Sequence, residues 1–265
     1  MIASVTQVCE EPEVDWKSLA GASSHWRERQ HAARQVHLKL LKEHDVYEAG
    51  PVPPGVRPLS VRWVDVDHYD IAKSRLTARG FEQKLAGTED FYAATPLPTS
   101  LRTLLVAAQA LDLAVVIGDC AQAFLQAPLI EEQDVWVVPP PEAGEEMGHA
   151  WRLKRTLPGL KGGPAAWGSY ATEVSSEKYD LKPSEVDPCV LRRPGQLLWA
   201  FRHMDDYLMV GKRSELEALT ADMSKTLLLR DVCFLDVDAE PAKFLGWMLQ
   251  RKKKGFTVAA NPQLI

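Results

Sequence analysis

The sequence predicts an α+β fold in which a sheet is packed by helices on one face. Three observations predict it. Segments of strand character and segments of helix character are interspersed without regular βαβ alternation. No stretch of the sequence repeats. With 265 residues, 46% of them hydrophobic and 25% charged, the chain has the composition of an ordinary globular protein. It is long enough for one large domain or two modest ones.

The elements follow in order. "HWRERQHAARQVHLKLLKEHDVYE" sets Val36, Leu38, Leu40 and Leu41 as on a solvated helix that ends near His44. His37 and His44 could share one face of it, which is too little convergence for a metal site. "EAGPVPPGVRP" is a Pro- and Gly-rich connector that sets residues 1–45 apart as a helical extension. "LSVRWVDVDHYDIAKSRLTARGF" alternates apolar with polar residues and predicts a two-stranded ribbon turning near His68-Tyr69-Asp70. Its second strand gathers Lys73, Arg75 and Arg79. "TSLRTLLVAAQALDL", Thr99 to Leu113, opens on Thr-Ser and continues with strong helix formers. The β-branched run "AVVIGDCAQAF" then carries Asp119, and "DVWVVPPPE" is a short strand stopped by prolines.

"WRLKRTLPGLKGGPAAW" reads as a basic strand, a Gly/Pro loop and a helix with Pro164 in its first turn, running to about Lys178. "FRHMDDYLMV" is a hairpin with Asp205 and Asp206 at its tip. In the helix that follows, Ser214 and Glu217 form a capping box. "KFLGWMLQRKKKGFTVAAN" closes the chain as a second hairpin turning at Lys253-Lys254-Gly255.

Composition excludes several classes of function. No apolar run approaches the roughly eighteen residues of a membrane span. The acidic start lacks the basic and apolar regions of a signal peptide, so an intracellular setting, cytoplasm or nucleus, is expected without a membrane partner. Cys9, Cys120, Cys189 and Cys233 are scattered, which argues against a zinc knuckle or a disulfide framework. The net charge of −5 by itself points away from nucleic acid, but the basic strand shows the positive groups to be clustered.

A tandem Asp is ordinarily a turn residue that bonds nearby amides. Here its flanks are strongly apolar, which pins the turn to a packed sheet, and Asp119 ends another apolar strand that could lie beside it. Three converging carboxylates repel one another unless cations neutralise them. Hard oxygen donors suit Mg²⁺. Two such ions about 3.5–4 Å apart serve phosphoryl or nucleotidyl transfer.

Five segments in order resemble the reverse transcriptase domain of copia-type retrotransposon polyproteins, from about Tyr47 onward: "KSRLTARGFEQ", "DCAQAFLQAPL", "WRLKRTLPGLKGGPAAW", "HMDDYLMVG" and "KFLGWMLQ". The resemblance implies an α+β right-hand polymerase: an antiparallel palm packed by helices, plus fingers, with the thumb largely absent. Fingers would span about 46–95 and 128–163, and palm about 96–127 and 164–265. It implies RNA-directed DNA polymerase activity, with two Mg²⁺ ions (or Mn²⁺) held by Asp119, Asp205 and Asp206 and the Cys120 carbonyl as an extra ligand. Arg75, then Lys73, would grip the incoming dNTP, and Phe124 would stand beneath its sugar and exclude a ribose 2′-hydroxyl. Gly159, Lys161 and Gly162 match the loop lying on the template, and Gly246, Trp247 and Met248 match the segment that holds the primer end. Partners implied are an RNA or DNA template with its primer, and the RNase H and integrase regions of a Pol polyprotein, which this chain lacks.

The sequence also departs from the family pattern. His203 and Met204 stand where Tyr and Val are usual, and "LPGLKGGPAAW" lacks the usual Tyr, Gln and Arg. Two alternatives stay open: an inactive retroelement-derived fragment that binds nucleic acid or a protein, and another palm-type nucleotidyl transferase such as a cyclase.

Overall fold

Long-range backbone pairing, more than local propensity, fixes the architecture. The computed structural model describes residues 26–68, 71–83, 91, 93–129 and 134–261. In chain order the elements are α1 (Trp26–Glu43), β1 (Tyr47–Pro51), β2 (Val61–His68), β3 (Ile71–Ala78), α2 (Pro98–Ala110), β4 (Ala114–Cys120) and α3 (Ala123–Gln126). β5 (Trp136–Val137), β6 (His149–Leu153), α4 (Gly163–Tyr179), β7 (Lys182–Pro183), β8 (Val190–Arg192), β9 (Trp199–His203) and β10 (Asp206–Gly211) follow. The chain ends with α5 (Arg213–Thr226), β11 (Leu229–Phe234), β12 (Ala242–Phe244), β13 (Trp247–Lys252) and β14 (Gly255–Ala260). All strand pairing between these elements is antiparallel.

The described residues fall into two units, one built from residues 26–83 with Phe124–Trp167, the other from Ala93–Ala123 with residues 168–261. In the first, β1, β6 and β5 make a three-stranded sheet and β2–β3 a ribbon. Helix α1 packs on that ribbon. Leu38 and Leu41 are buried with Val46, Leu76 and Trp151 in one core. The expectation of a solvated helix is therefore corrected. His37 is 8% exposed and meets the Trp63 ring edge-on at 5.9 Å. Burial, seconded by the Arg75 charge, lowers its pKa to about 4 and keeps it neutral. Arg34 donates Nε and Nη2 to the two Asp65 oxygens (3.2 and 2.7 Å) and Nη1 to Glu142 (2.5 Å). Ser74 and Gln30 also donate to Asp65, so a charge network latches α1 to the ribbon.

Part of the Pro/Gly connector is strand β1, paired with β6 from Tyr47↔Leu153 to Pro51↔His149. The partner strand supplies the order that propensity denies it. The ribbon keeps the predicted strands, while its turn at Tyr69-Asp70 lies outside the described residues.

In the second unit, a six-stranded sheet runs β11-β4-β10-β9-β8-β7, and β12-β13-β14 form a smaller one. Alternation puts Val115, Ile117, Leu208 and Val210 on one face, buried with Leu101, Leu104 and Leu105 of α2 and with Phe244 and Leu249 of the small sheet. The α2 N-terminus is tied by Asp187, whose carboxylate accepts from Leu97 N–H (3.0 Å) and Ser100 Oγ (2.6 Å). The expected capping box of α5 is not formed. Lys212 is the N-cap without a side-chain bond, Ser214 is already inside the helix, and Glu217 instead accepts from Arg213 Nε (3.0 Å). The final hairpin turns at Lys253-Lys254 as expected, with Lys252 opposite Gly255.

Candidate active site

The tandem Asp and the strand ending in "GDC" meet because β10 lies between β9 and β4. Asp206 pairs with Asp119 on one side and with His203 on the other. Asp119 in turn pairs with Arg230 of β11. Directly opposed residues point to the same face of a sheet, so Arg230, Asp119, Asp206 and His203 form a row across four strands, one step beyond Ile117 and Leu208. Met204 and Asp205 make the two-residue turn. Met204 takes a φ of +54°, the left-handed conformation that such hairpin turns demand at the first central position. The Asp205 carbonyl accepts the Cys120 N–H at 2.8 Å, which ties the turn to the end of β4.

The three carboxylates feel one another. Burial first, then the charges of Asp205 and Asp206, push the Asp119 pKa up to about 6, against the opposing pull of Arg230. Burial and then Asp205 push Asp206 up to about 6, with Lys243 of β12 opposing. The Cys120 thiol is raised, above all by burial and then by Asp119 and Asp205, so it stays protonated. Among the described residues no group of three or more His, Cys, Asp or Glu side chains is drawn together tightly enough to hold a metal ion. The donor chemistry still fits a hard divalent cation: acidic oxygens gathered at the ends of two neighbouring central strands, with two of their pKa values raised by burial and then by one another's charge, which a cation would relieve.

Gly246, Trp247 and Met248 lie in the same unit. Gly246 ends a two-residue turn between β12 and β13 in which Leu245 and Gly246 both have positive φ. The Gly246 carbonyl accepts from Asn261 N–H (3.1 Å). Trp247 is 45% exposed.

The remaining expected residues belong to the other unit. Lys73 and Arg75 are exposed on the open face of the ribbon, opposite Val66 and Val64, while Leu76 turns inward to the core. Arg62 shares their face by alternation. Gly159 has φ +90°, and a Cβ there would stand 2.2 Å from the Ala78 carbonyl oxygen, so only glycine lets this loop lie on the end of β3. Lys161 donates its backbone N–H to Gln83 Oε1 (2.9 Å) and its Nζ to the Gln83 carbonyl (3.2 Å). The buried Gly162 accepts from Ala166 N–H at the start of α4 (2.9 Å). Phe124 is half-buried; its carbonyl accepts from Thr156 Oγ1 (2.5 Å), and a Cβ on Gly163 would come within 3.3 Å of its ring.

Sequence reasoning missed Arg230, Lys243 and Arg62. Lys243 opens the quoted "KFLG" segment, so a signal for it existed. Arg230 is a lone cation in an apolar run, and only the register reveals it.

A family profile described as reverse transcriptase (RNA-dependent DNA polymerase) matches residues 44–262. The chain is similar to the retrovirus-related Pol polyprotein from transposon TNT 1-94 of Nicotiana tabacum, 32% identical over 214 residues, which cover 76% of this chain and 16% of that protein. It is also similar to those from transposons RE2 and RE1 of Arabidopsis thaliana. These are each 28% identical, over 185 and 200 residues, with 65% and 68% of this chain and 12% and 13% of theirs covered. The chain thus spans about a sixth or less of the length of these relatives.

Proposed function

Because the chain belongs to the reverse transcriptase (RNA-dependent DNA polymerase) family, we propose that it carries the polymerising core of a copia-type element, adding deoxynucleotides to a primer 3′-hydroxyl on an RNA or DNA template. The observation that carries this reading is the register of Asp206 against Asp119, with Asp205 in the adjoining turn. The unit bearing the six-stranded sheet would be the palm, and the unit bearing the ribbon the fingers.

Asp119, Asp205 and Asp206 would hold Mg²⁺ or Mn²⁺ ions, together with the Cys120 carbonyl. When bound, such ions supply activation of the attacking hydroxyl and neutralisation of charge on the phosphate. Ile117 and Leu208, two residues along the same strands and packed in the core, anchor the strand ends that carry Asp119 and Asp206. Arg75 and Lys73, exposed and carried on a paired strand, would bind the triphosphate, and a guanidinium does so bidentately. The Phe124 ring, which lies over Gly163 on a backbone whose carbonyl accepts from Thr156, would deny space to a 2′-hydroxyl. Gly159, Lys161 and Gly162 would lie along the template. Gly246, Trp247 and Met248 would support the primer end.

The test is single-nucleotide primer extension by this chain with Mg²⁺ or Mn²⁺, set beside Asp205→Asn. Extension that the substitution abolishes supports the enzyme. Absence of extension with either metal, alongside retained binding of a primer–template duplex, would instead favour a non-catalytic nucleic-acid-binding fragment.

A further inference from the structure

The opposite face of the same hairpin carries polar groups that the polymerase reading does not use. Arg202 of β9 and Tyr207 of β10 are paired in register, and alternation turns them away from Asp206. Both are buried, Arg202 to 7% exposure and Tyr207 to 0%. Arg202 donates Nη2 to Thr172 Oγ1 on α4 (2.9 Å) and its backbone N–H to the carbonyl of Cys189, just before β8 (2.8 Å). Thr172 donates in turn to the Gly168 carbonyl (2.8 Å). Ser175, one turn further along α4, is fully buried, and it and Arg202 are polar neighbours of the Tyr207 hydroxyl. Among the described residues, Arg202 Nη1, Tyr207 Oη and Ser175 Oγ have no hydrogen-bond partner of good geometry.

Buried polar groups without full partners weaken a fold, and apolar side chains of similar volume often pack in their place at no loss. Stability therefore does not account for the cluster. Its location does. Arg202 and Tyr207 sit on the two strands that bracket the Met204-Asp205 turn, and Thr172 and Ser175 belong to the helix beneath.

We propose that Arg202 is a positioning residue: with Thr172, Ser175 and Tyr207 it clamps the hairpin to α4, and so sets where Asp205 and Asp206 stand relative to Asp119. The proposal rests on the reading of these carboxylates as a cation site. Groups that orient metal ligands from behind typically change metal affinity by about 10–100-fold when removed, and Arg202 acts this way through the backbone of its hairpin.

The experiment is Mn²⁺ binding followed by electron paramagnetic resonance, with urea unfolding of the same samples. It compares wild type, Asp205→Asn, Arg202→Met, Arg202→Lys and Tyr207→Phe. Wild type is expected to bind Mn²⁺ and Asp205→Asn to lose it. Arg202→Met should unfold at an unchanged or higher urea concentration yet bind about 10-fold more weakly, with Arg202→Lys between the two. Tyr207→Phe keeps the packing and removes one polar atom; it should bind more weakly than wild type by less than about 10-fold, and it tests the clamp should Arg202→Met fail to fold. Mn²⁺ binding by the Arg202 and Tyr207 variants as tight as wild type overturns the proposal while the cation site stands. So does weakening that appears only alongside a lowered urea midpoint. A wild type that binds no Mn²⁺ overturns the cation site, and the proposal with it.

Discussion

Replacing Asp206 by Asn should make the metal-free protein more stable at neutral pH. An Asp carboxyl ordinarily titrates near 3.8, whereas burial and Asp205 hold Asp206 near 6. At 1.36 kcal/mol per pH unit the difference sets a ceiling of about 3 kcal/mol. Asp206 is only half-buried, and solvent screening brings the expected contribution down to about 1–1.5 kcal/mol. The sign follows from linkage. A carboxyl whose folded pKa lies above its unfolded value favours the fold fully below the unfolded pKa, and that contribution is lost as pH rises through about 6. In chelator, the wild type should therefore lose stability between about pH 4 and pH 6 more steeply than Asp206→Asn. The variant's melting temperature should exceed that of wild type by about 2–4 °C at pH 7.5, with the gap closing near pH 4. Thermal unfolding in EDTA across that range measures it. An Asn variant no more stable than wild type at pH 7.5, or one whose advantage is just as large at pH 4, would refute the inference that burial and Asp205 together raise the Asp206 pKa.

Three further outcomes are expected. Gly159→Ala should cost more than about 2 kcal/mol in urea unfolding, because the new Cβ meets the Ala78 carbonyl; Gly148→Ala, at φ +85° with open space around it, should cost only about 1 kcal/mol. Arg34→Met should destabilise by about 1–3 kcal/mol, since Asp65 and Glu142 lose the guanidinium that bridges them. If Phe124 excludes the 2′-hydroxyl, Phe124→Ala should raise ribonucleotide incorporation relative to deoxynucleotide in the primer-extension assay, and an unchanged ratio would remove Phe124 from that role.

The hairpin at Asp205-Asp206 and the strand reaching Asp119 were legible because apolar runs bounded by polar turns carry their own signal. Their meeting was legible only as a possibility. Sequence marks where a strand ends but not which residue faces which, so the pairing of Asp119 with Asp206, and of Arg230 with Asp119, emerges only from the sheet. Strand β1 hid in a Pro/Gly segment because its order comes from β6, far along the chain. His37 looked like a solvated helix residue because polar identity says little about burial once Trp63 supplies a wall. Ser214 and Glu217 had capping-box spacing, but Lys212 already stands at the N-cap, so both fall inside the helix. Arg202 and Tyr207 were legible as residues of strands. Their joint burial against α4 was not, since nothing local tells which strand face a distant helix will cover.

A structure of the protein crystallised with Mn²⁺, read by anomalous scattering, addresses the cation site itself. Manganese peaks bound by Asp119 and Asp205, with two ions about 3.5–4 Å apart when a primer–template and nucleotide are present, are the result expected here. Mn²⁺ found only elsewhere, with the Asp119 and Asp205 carboxylates turned apart, would contradict it.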